Sequence, residues 1–241
     1  MPRFTRAKHG GSPHKGYSPA PLTGRIAVLT SGGLDSAALI AESARVYASV
    51  YPLYVRAGMI WERNEITALR RFLTALRLKT IRPLVVLNLP MDDLIRDHWS
   101  ITGKKVPGYR AVLSSNYIPG RNLSLICKAA IFCALNRIAE IALATLRSNP
   151  FPDAQPKFFD AITDAITLGV GLKLKVRAPY LGMTKADLIR RMSRLPFELT
   201  VSCIRPKGII HCGACTKCAE RVEAFRDAGV PDPTKYAKRE V

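Results

Sequence analysis

Two groups of residues in this 241-residue chain have the types and spacing to do chemistry. The first is Ser31-Gly32-Gly33-Leu34-Asp35-Ser36, inside LTSGGLDSAALI (29–40). Gly32 and Gly33 can take positive φ and let a phosphate come close to the backbone. A helix starting there would aim unpaired N–H groups and the positive end of its dipole at that phosphate. Ser31 and Ser36 would add hydroxyl donors. Asp35 would repel a phosphate directly, so its presence fits either an intervening Mg²⁺ ion or a helix cap. The stretch lacks the Lys of the G-x-x-x-x-G-K-[ST] loop and the third glycine of the dinucleotide fingerprint. An ordinary strand-to-helix turn of small residues competes with the phosphate reading.

The second group is Cys203, Cys212, Cys215 and Cys218, spaced C-x8-C-x2-C-x2-C. Four thiolates complete a tetrahedral shell for Zn²⁺ with Zn–S bonds of about 2.3 Å and leave no position for water or substrate. That makes a structural site, with metal binding coupled to folding of the tail. Gly213 allows the tight turn between two ligands. A disulfide arrangement and an iron–sulfur cluster are the competing readings of the same residues. His211 could substitute as a ligand, although four Cys suffice. Cys127 and Cys133 lie six apart in a helical stretch and read as small buried hydrophobes. A weaker group is YIPGRN (117–122). There Arg121 offers a forked cation for phosphate or carboxylate, and Asn122 can cap a helix or meet a base edge.

These groups need elements to position them. RIAVLTS (25–31), VYPLYVR (50–56), PLVVLNL (83–89), EIALATL (140–146) and LKLKVRAP (172–179) read as strands. Helical periodicity occupies 36–48, 62–77, 121–138, 156–169 (ending at Gly169) and 184–195, the last capped by Thr184. Strand and helix alternate as in βαβ units, which predicts an α/β fold with a doubly wound, mainly parallel sheet. The glycine turn follows the first strand, and such sheets bind ligands at the carboxyl ends of their strands. Residues 97–119 read as a long polar loop, and a compact Cys-rich tail follows Pro196. The expected division is a flexible basic tail over 1–24, a nucleotide-binding domain over 25–196 and a metal-binding segment over 197–241 packed on it.

Lys and Arg number 37 against 18 Asp and Glu, a net charge of +19. Residues 1–25 contribute Arg3, Arg6, Lys8, Lys15 and Arg25 and no acid. Such an excess suits anionic partners such as nucleotides or nucleic acid. No apolar run approaches the length that spans a membrane. The opening stretch has no apolar core segment of a secretory signal, and the cysteines suit a reducing compartment, so a cytoplasmic protein is expected.

SGGLDS is similar to the S-G-G-x-D-S loop of the N-type ATP pyrophosphatases. These enzymes bind ATP with this loop and transfer AMP to a substrate oxygen. The loop then holds the departing pyrophosphate, which accounts for the missing Lys. SGGLDS, PGRN and the C-terminal Cys₄ set, in this order, resemble the 7-cyano-7-deazaguanine synthase family over about residues 25–236. TKADLI (184–189) matches that family's basic position at Lys185, and LTVSC (199–203) its approach to the first metal ligand.

The resemblance implies a Rossmann-like pyrophosphatase domain over 25–196 and a structural Zn²⁺. It also implies an ATP- and Mg²⁺-dependent ligase that adenylates a carboxylate and, with ammonia, forms an amide and then a nitrile. Asp35, Arg121 and Lys185 would stabilise the transition state, Ser31 to Ser36 would hold the nucleotide, and family members are often homodimers.

Two segments depart from the family pattern. The acidic, aromatic loop D-Y-S-G-Y-P-D-C-R reads here TLRSNPFPDAQPKFFDAI (145–162), and the Q-R-H segment reads GMIWERNE (58–65). Both lie where the family reads its substrate. Trp61, Asn122 and Asp153 are the candidates for those contacts. The alternatives are a paralogue adenylating another small-molecule or macromolecular carboxylate, a tRNA-modifying enzyme, and a nucleotide-binding protein without activity. The four thiols committed to metal, and the absence of an aromatic–basic motif, weigh against a nucleic-acid partner.

Overall fold

The computed structural model describes residues 24–238. Apart from Gly24, the expected basic tail lies outside the described residues. Five strands form one sheet: β1 (Arg25–Leu29), β2 (Ser49–Arg56), β3 (Val85–Asn88), β4 (Glu140–Ala142) and β5 (Lys175–Arg177). They run in the order β3-β2-β1-β4-β5, with every neighbouring pair parallel. Ile26 stands opposite Val50 on one side and Glu140 on the other. The described helices are α1 (Leu34–Ser43), α2 (Glu62–Leu76), α3 (Trp99–Thr102), α4 (Arg121–Leu135), α5 (Pro156–Val170), α6 (Lys185–Arg191) and α7 (Thr216–Ala228).

Alternate residues of β1 point to opposite faces, as strand geometry requires. Ile26 and Val28 join Leu39 of α1, Leu69 of α2, Ile189 of α6 and Phe225 of α7. Ala27 and Leu29 join Ile126 of α4 and Phe159 of α5 on the other face. Burial on both faces explains why RIAVL is apolar almost throughout rather than alternating. The fold is thus the doubly wound, parallel α/β architecture expected. Strand order departs in both directions from β1, so the crevice at the carboxyl ends of β1 and β4 is the sheet's switch point.

Several boundaries moved for local reasons. β4 stops at Ala142; the Leu143 N–H still donates to the Arg177 carbonyl of β5 at 2.9 Å, and Ala144 to Leu146 then leave the ladder, so that residues 143–146 wall the crevice. β5 begins only at Lys175, because the Thr167 hydroxyl rather than a strand accepts from the Leu174 N–H at 3.3 Å. α5 runs through Gly169 and ends at Gly171, whose φ of 65° supplies the left-handed C-terminal turn. The loop over 97–119 contains α3 and a 3₁₀ turn, Leu113–Asn116.

The Cys-rich tail holds more order than its composition suggested. α7 is capped by Cys215 at its start and by Gly229 at its end. Its Arg221, 1% exposed, donates to Thr200 Oγ1 (2.9 Å), the Phe197 carbonyl (2.8 Å) and Thr234 Oγ1 (2.6 Å), fastening the tail to the segment before it. Among the described residues, no helix is long and apolar enough to cross a membrane.

Candidate active site

The turn after β1 is shaped by one glycine in particular. Gly32 has φ of 75°, and a Cβ there would stand 2.6 Å from the Glu65 carbonyl oxygen. No other residue fits without moving α2. The Gly32 carbonyl accepts from Val201 N–H at 2.9 Å, tying the turn to the C-terminal segment. Ser36 Oγ donates to the Gly33 carbonyl (3.1 Å) and accepts from Thr30 Oγ1 (3.2 Å), so the hydroxyls cross-brace the turn. Gly33 is the N-cap of α1 and Asp35 lies in its first turn. Leu34 points into the core at 1% exposure, so only its backbone is available to a ligand.

Ser31, Asp35 and Ser36 line a cavity of about 250 Å³ at the switch point, together with Arg121 and Asn122 from the start of α4. A second cavity of about 150 Å³ adjoins it and is lined by Trp61, Asn122 and Asp153, with Trp99, Phe151 and Ile204 as further walls. Arg121, Asn122, Asn149, Phe151 and Lys217 border both. The structure therefore brings Trp61, Asn122 and Asp153 together, from three separate segments. Trp61 stacks on Trp99 with ring centroids 5.6 Å apart.

Of the two roles open to Asn122, capping α4 is not the one it takes, since Gly120 holds the cap position. Asp153 does that work from the segment after β4. Its Oδ2 accepts from the Asn122 N–H at 2.7 Å, and its carbonyl accepts from Asn122 Nδ2 at 3.0 Å. A carboxylate at a helix N-terminus satisfies an orphan N–H and opposes the helix dipole.

Lys185 stands at the first position of α6, behind Thr184, which forms a capping box with Asp187. Its Nζ lies 3.2 Å from Asp35 Oδ2 and 2.5 Å from Glu220 Oε1. Burial alone would push the Lys185 ammonium down, but Asp35 and Glu220 hold it above its ordinary value. Burial likewise pushes the Asp35 carboxyl up, against the pull of Lys185. Asp35 Oδ1 is buried without a hydrogen-bond partner among the described residues. Glu220 also takes Lys217 Nζ at 2.7 Å. Lys185 does not border the central cavity. It sets Asp35 from behind, whereas Lys217 and Glu220 line the cavity directly.

Two further acids were not foreseen from sequence. Glu62 and Glu65 occupy the first turn of α2, both buried and both bordering the central cavity. The Tyr54 hydroxyl donates to Glu65 Oε2 at 2.6 Å. Burial pushes the Glu65 carboxyl up to about 8, aided by Glu62 and opposed by the Tyr54 hydrogen bond and by Arg121. The folded chain thus keeps a proton there that an unfolded chain releases above its ordinary value of 4.5. Stability from this group is complete below that ordinary value and declines as pH rises towards about 8. Replacing Glu65 by Gln should flatten that decline, with wild type losing on the order of a few kcal/mol relative to the variant between acid and alkaline conditions. Urea unfolding at pH 5, 7 and 9 measures it; parallel pH slopes would refute the buried proton.

Cys203, Cys212, Cys215 and Cys218 converge with all four Sγ atoms within 4.8 Å of one another. Cys203 and Cys215 are 3.9 Å apart, as are Cys212 and Cys218, and Cys215 to Cys218 is 3.5 Å. A tetrahedral ion with bonds of about 2.3 Å needs sulfurs about 3.8 Å apart, so the set fits one. Backbone N–H groups of Arg205, Cys212, Gly213 and Ala214 donate to the sulfurs at 3.2–3.4 Å, which favours thiolates. His211 stands apart from the set. Its Nε2 accepts from Ser202 N–H at 3.1 Å and its ring packs on Tyr236. Cys133 is buried in the core and Cys127 half-buried.

A family model described as "Queuosine biosynthesis protein QueC" matches residues 25–229, from the first strand to the end of α7. The chain belongs to that family. Among curated relatives, the 7-cyano-7-deazaguanine synthase of Methanothrix thermoacetophila is 32% identical over 228 residues, covering 88% of this chain and 99% of the relative. That of Xanthomonas euvesicatoria pv. vesicatoria is 33% identical over 238 residues, covering 88% and 98%. Among solved structures, a 4-thiouridine synthetase–RNA complex with bound ATP aligns at a TM-score of 0.47 with 15% identity, over 88% of this chain and 47% of that one. So distant a likeness carries no weight for function.

Proposed function

We propose that this chain is an ATP-dependent carbon–nitrogen ligase converting 7-carboxy-7-deazaguanine, with ammonia, to 7-cyano-7-deazaguanine. One observation carries the reading beyond family membership. The cavity at the glycine turn opens onto an aromatic-walled cavity, with Arg121 and Lys217 at their junction. A nucleotide's phosphates belong in the first, a flat heteroaromatic ring in the second, and the substrate carboxylate between the two cations. The segment SNPFPD departs from the family pattern, yet its Asn149, Phe151 and Asp153 still wall the ring cavity.

ATP, used twice, supplies an AMP leaving group, first on the carboxylate oxygen, where ammonia displaces it, and then on the amide oxygen, where its loss with a proton leaves the nitrile. The chain's own residues position and stabilise. Backbone N–H groups from Gly32 to Asp35, with the Ser31 and Ser36 hydroxyls, would receive the departing pyrophosphate. Asp35 would hold a Mg²⁺ ion against it, with Lys185 fixing the carboxylate's place. Arg121 would neutralise charge developing on phosphorus oxygens. Trp61 would cover the ring face, while Asn122 and Asp153 border its edge. The Cys₄ set would hold a structural Zn²⁺, in keeping with a reducing, cytoplasmic setting.

Mass spectrometry after incubation with ATP, Mg²⁺, ammonium and 7-carboxy-7-deazaguanine tests the reading. AMP together with an amide or nitrile product is expected. Metal-loaded, ATP-binding protein that gives no product from this ring would redirect the assignment to another carboxylate.

A further inference from the structure

A residue in the wall of the ring cavity carries a buried donor that the described residues leave unsatisfied. Asn116 closes the 3₁₀ turn Leu113–Asn116 and is 9% exposed. The Thr216 hydroxyl donates to its Oδ1 at 2.9 Å. Thr216 is itself held, its N–H donating to the Pro107 carbonyl at 3.3 Å, so the amide is braced from the side of α7. Asn116 Nδ2 is buried and has no hydrogen-bond partner among the described residues, and Asn116 lines the cavity walled by Trp61 and Ile118. Buried amide donors are almost always paired, because an unpaired one forfeits its hydration with nothing in return. An unpaired donor fixed in the wall of a binding cavity is a site awaiting an acceptor.

We propose that Asn116 Nδ2 donates to a neutral ring acceptor of the heteroaromatic substrate and thereby selects it. This rests on the deazaguanine reading above. The substrate carboxylate belongs between Arg121 and Lys217, so the acceptor for Asn116 is on the ring itself. On 7-deazaguanine the ring acceptors are the 6-oxo oxygen and N3. The apolar walls accept any flat ring of suitable size, and stacking alone discriminates weakly. A ring without the acceptor would leave the amide buried and bare, which is where strong rejection originates.

The test is a cycle between protein and ligand, run on the full, metal-loaded chain by calorimetry. Three ligands are compared: 7-carboxy-7-deazaguanine, its 6-deoxo analogue and its 3-deaza analogue. Three proteins are compared: wild type, Asn116→Asp and Asn116→Ala. Asn116→Asp keeps an acceptor for Thr216 and removes the donor. The expected result is 10- to 100-fold weaker binding of the parent ring by both variants. One analogue should bind wild type as weakly as the parent binds Asn116→Ala, with no further loss when both changes are combined. Coupling to the 6-deoxo analogue identifies the carbonyl oxygen, and coupling to the 3-deaza analogue identifies N3. Equal losses on all three ligands would mean that Asn116 only shapes the turn, and would overturn the proposal. So would full binding by Asn116→Asp. Wild type that binds none of the rings overturns the deazaguanine reading itself, an outcome told apart because no variant is involved.

Discussion

Asp35→Ala is expected to abolish pyrophosphate release, by a factor of at least about 1000, while the protein stays folded. Asp35 is the one acid of the glycine turn, and its carboxylate stands where like charge should repel a phosphate. It is kept there by Lys185 at 3.2 Å, with one oxygen buried and bare. A carboxylate so held makes chemical sense if a cation bridges it to the leaving group. Its removal costs the fold little. Lys185 retains Glu220 at 2.5 Å, so no buried ammonium is left alone, and a loss of about 1 kcal/mol is expected. Pyrophosphate release and a thermal melt, measured on the same preparation, separate the two effects. A rate within about tenfold of wild type would remove Asp35 from the chemistry. Asp35→Asn, which preserves shape and removes charge, should behave like Asp35→Ala if the charge is what matters.

What sequence revealed and what it hid divides along the range of the interactions involved. SGGLDS is a local device: the residues that make the turn also do its work, so six consecutive letters carry both. The Cys spacing is nearly as local, because three ligands fall within seven residues and only Cys203 comes from further back. Asn122 and Asp153 lie 31 residues apart and meet only because Asp153 caps α4. Their shared cavity follows from that packing, and no periodicity announces it. Nothing in the helical stretch 62–77 marks Glu65 for burial. It is buried because Gly32 lets the turn press against its backbone and Tyr54 reaches it from β2.

The tail shows the same limit from another side. Lys217 and Glu220 sit in CTKCAER, a stretch whose metal-ligand spacing is a stronger signal than its charges. Three residues apart on α7, they share one helix face. Strand ends differ from the apolar runs for another reason. Ala144 to Leu146 suit a strand by residue type, but they turn away to wall the crevice, a decision made by tertiary contacts rather than β propensity.

Metal removal should have the largest structural effect, and it should reach the active site through α7. Cys215 caps that helix and Cys218 lies in its first turn, while Cys203 directly follows the stretch from Phe197 to Ser202 that Arg221 fastens. Without a cation, four sulfurs within 4.8 Å would repel as thiolates or crowd as thiols. Zinc binding by small Cys-rich folds is worth roughly 10–16 kcal/mol, comparable with the ~5–15 kcal/mol that holds a whole domain together. Replacing Cys215 by Ser, or extracting the ion with a strong chelator, should therefore melt α7 and carry Lys217 and Glu220 out of the cavity. Lys185 would then lose one of its two partners, and Val201 its bond to the Gly32 carbonyl. Activity should vanish together with protection of residues 197–238 from proteolysis, and metal analysis should return one zinc per chain with no visible absorbance. A metal-free chain with an unchanged melting temperature would refute a structural ion, and a coloured, iron-bearing preparation would replace zinc with a cluster on the same four thiolates. The distinction has a consequence for the chemistry. If the ion is structural, its loss disables the site by displacing Lys217 and Glu220 and by releasing the glycine turn, and Lys217→Ala should reproduce part of the activity loss in a chain whose melting temperature is unchanged.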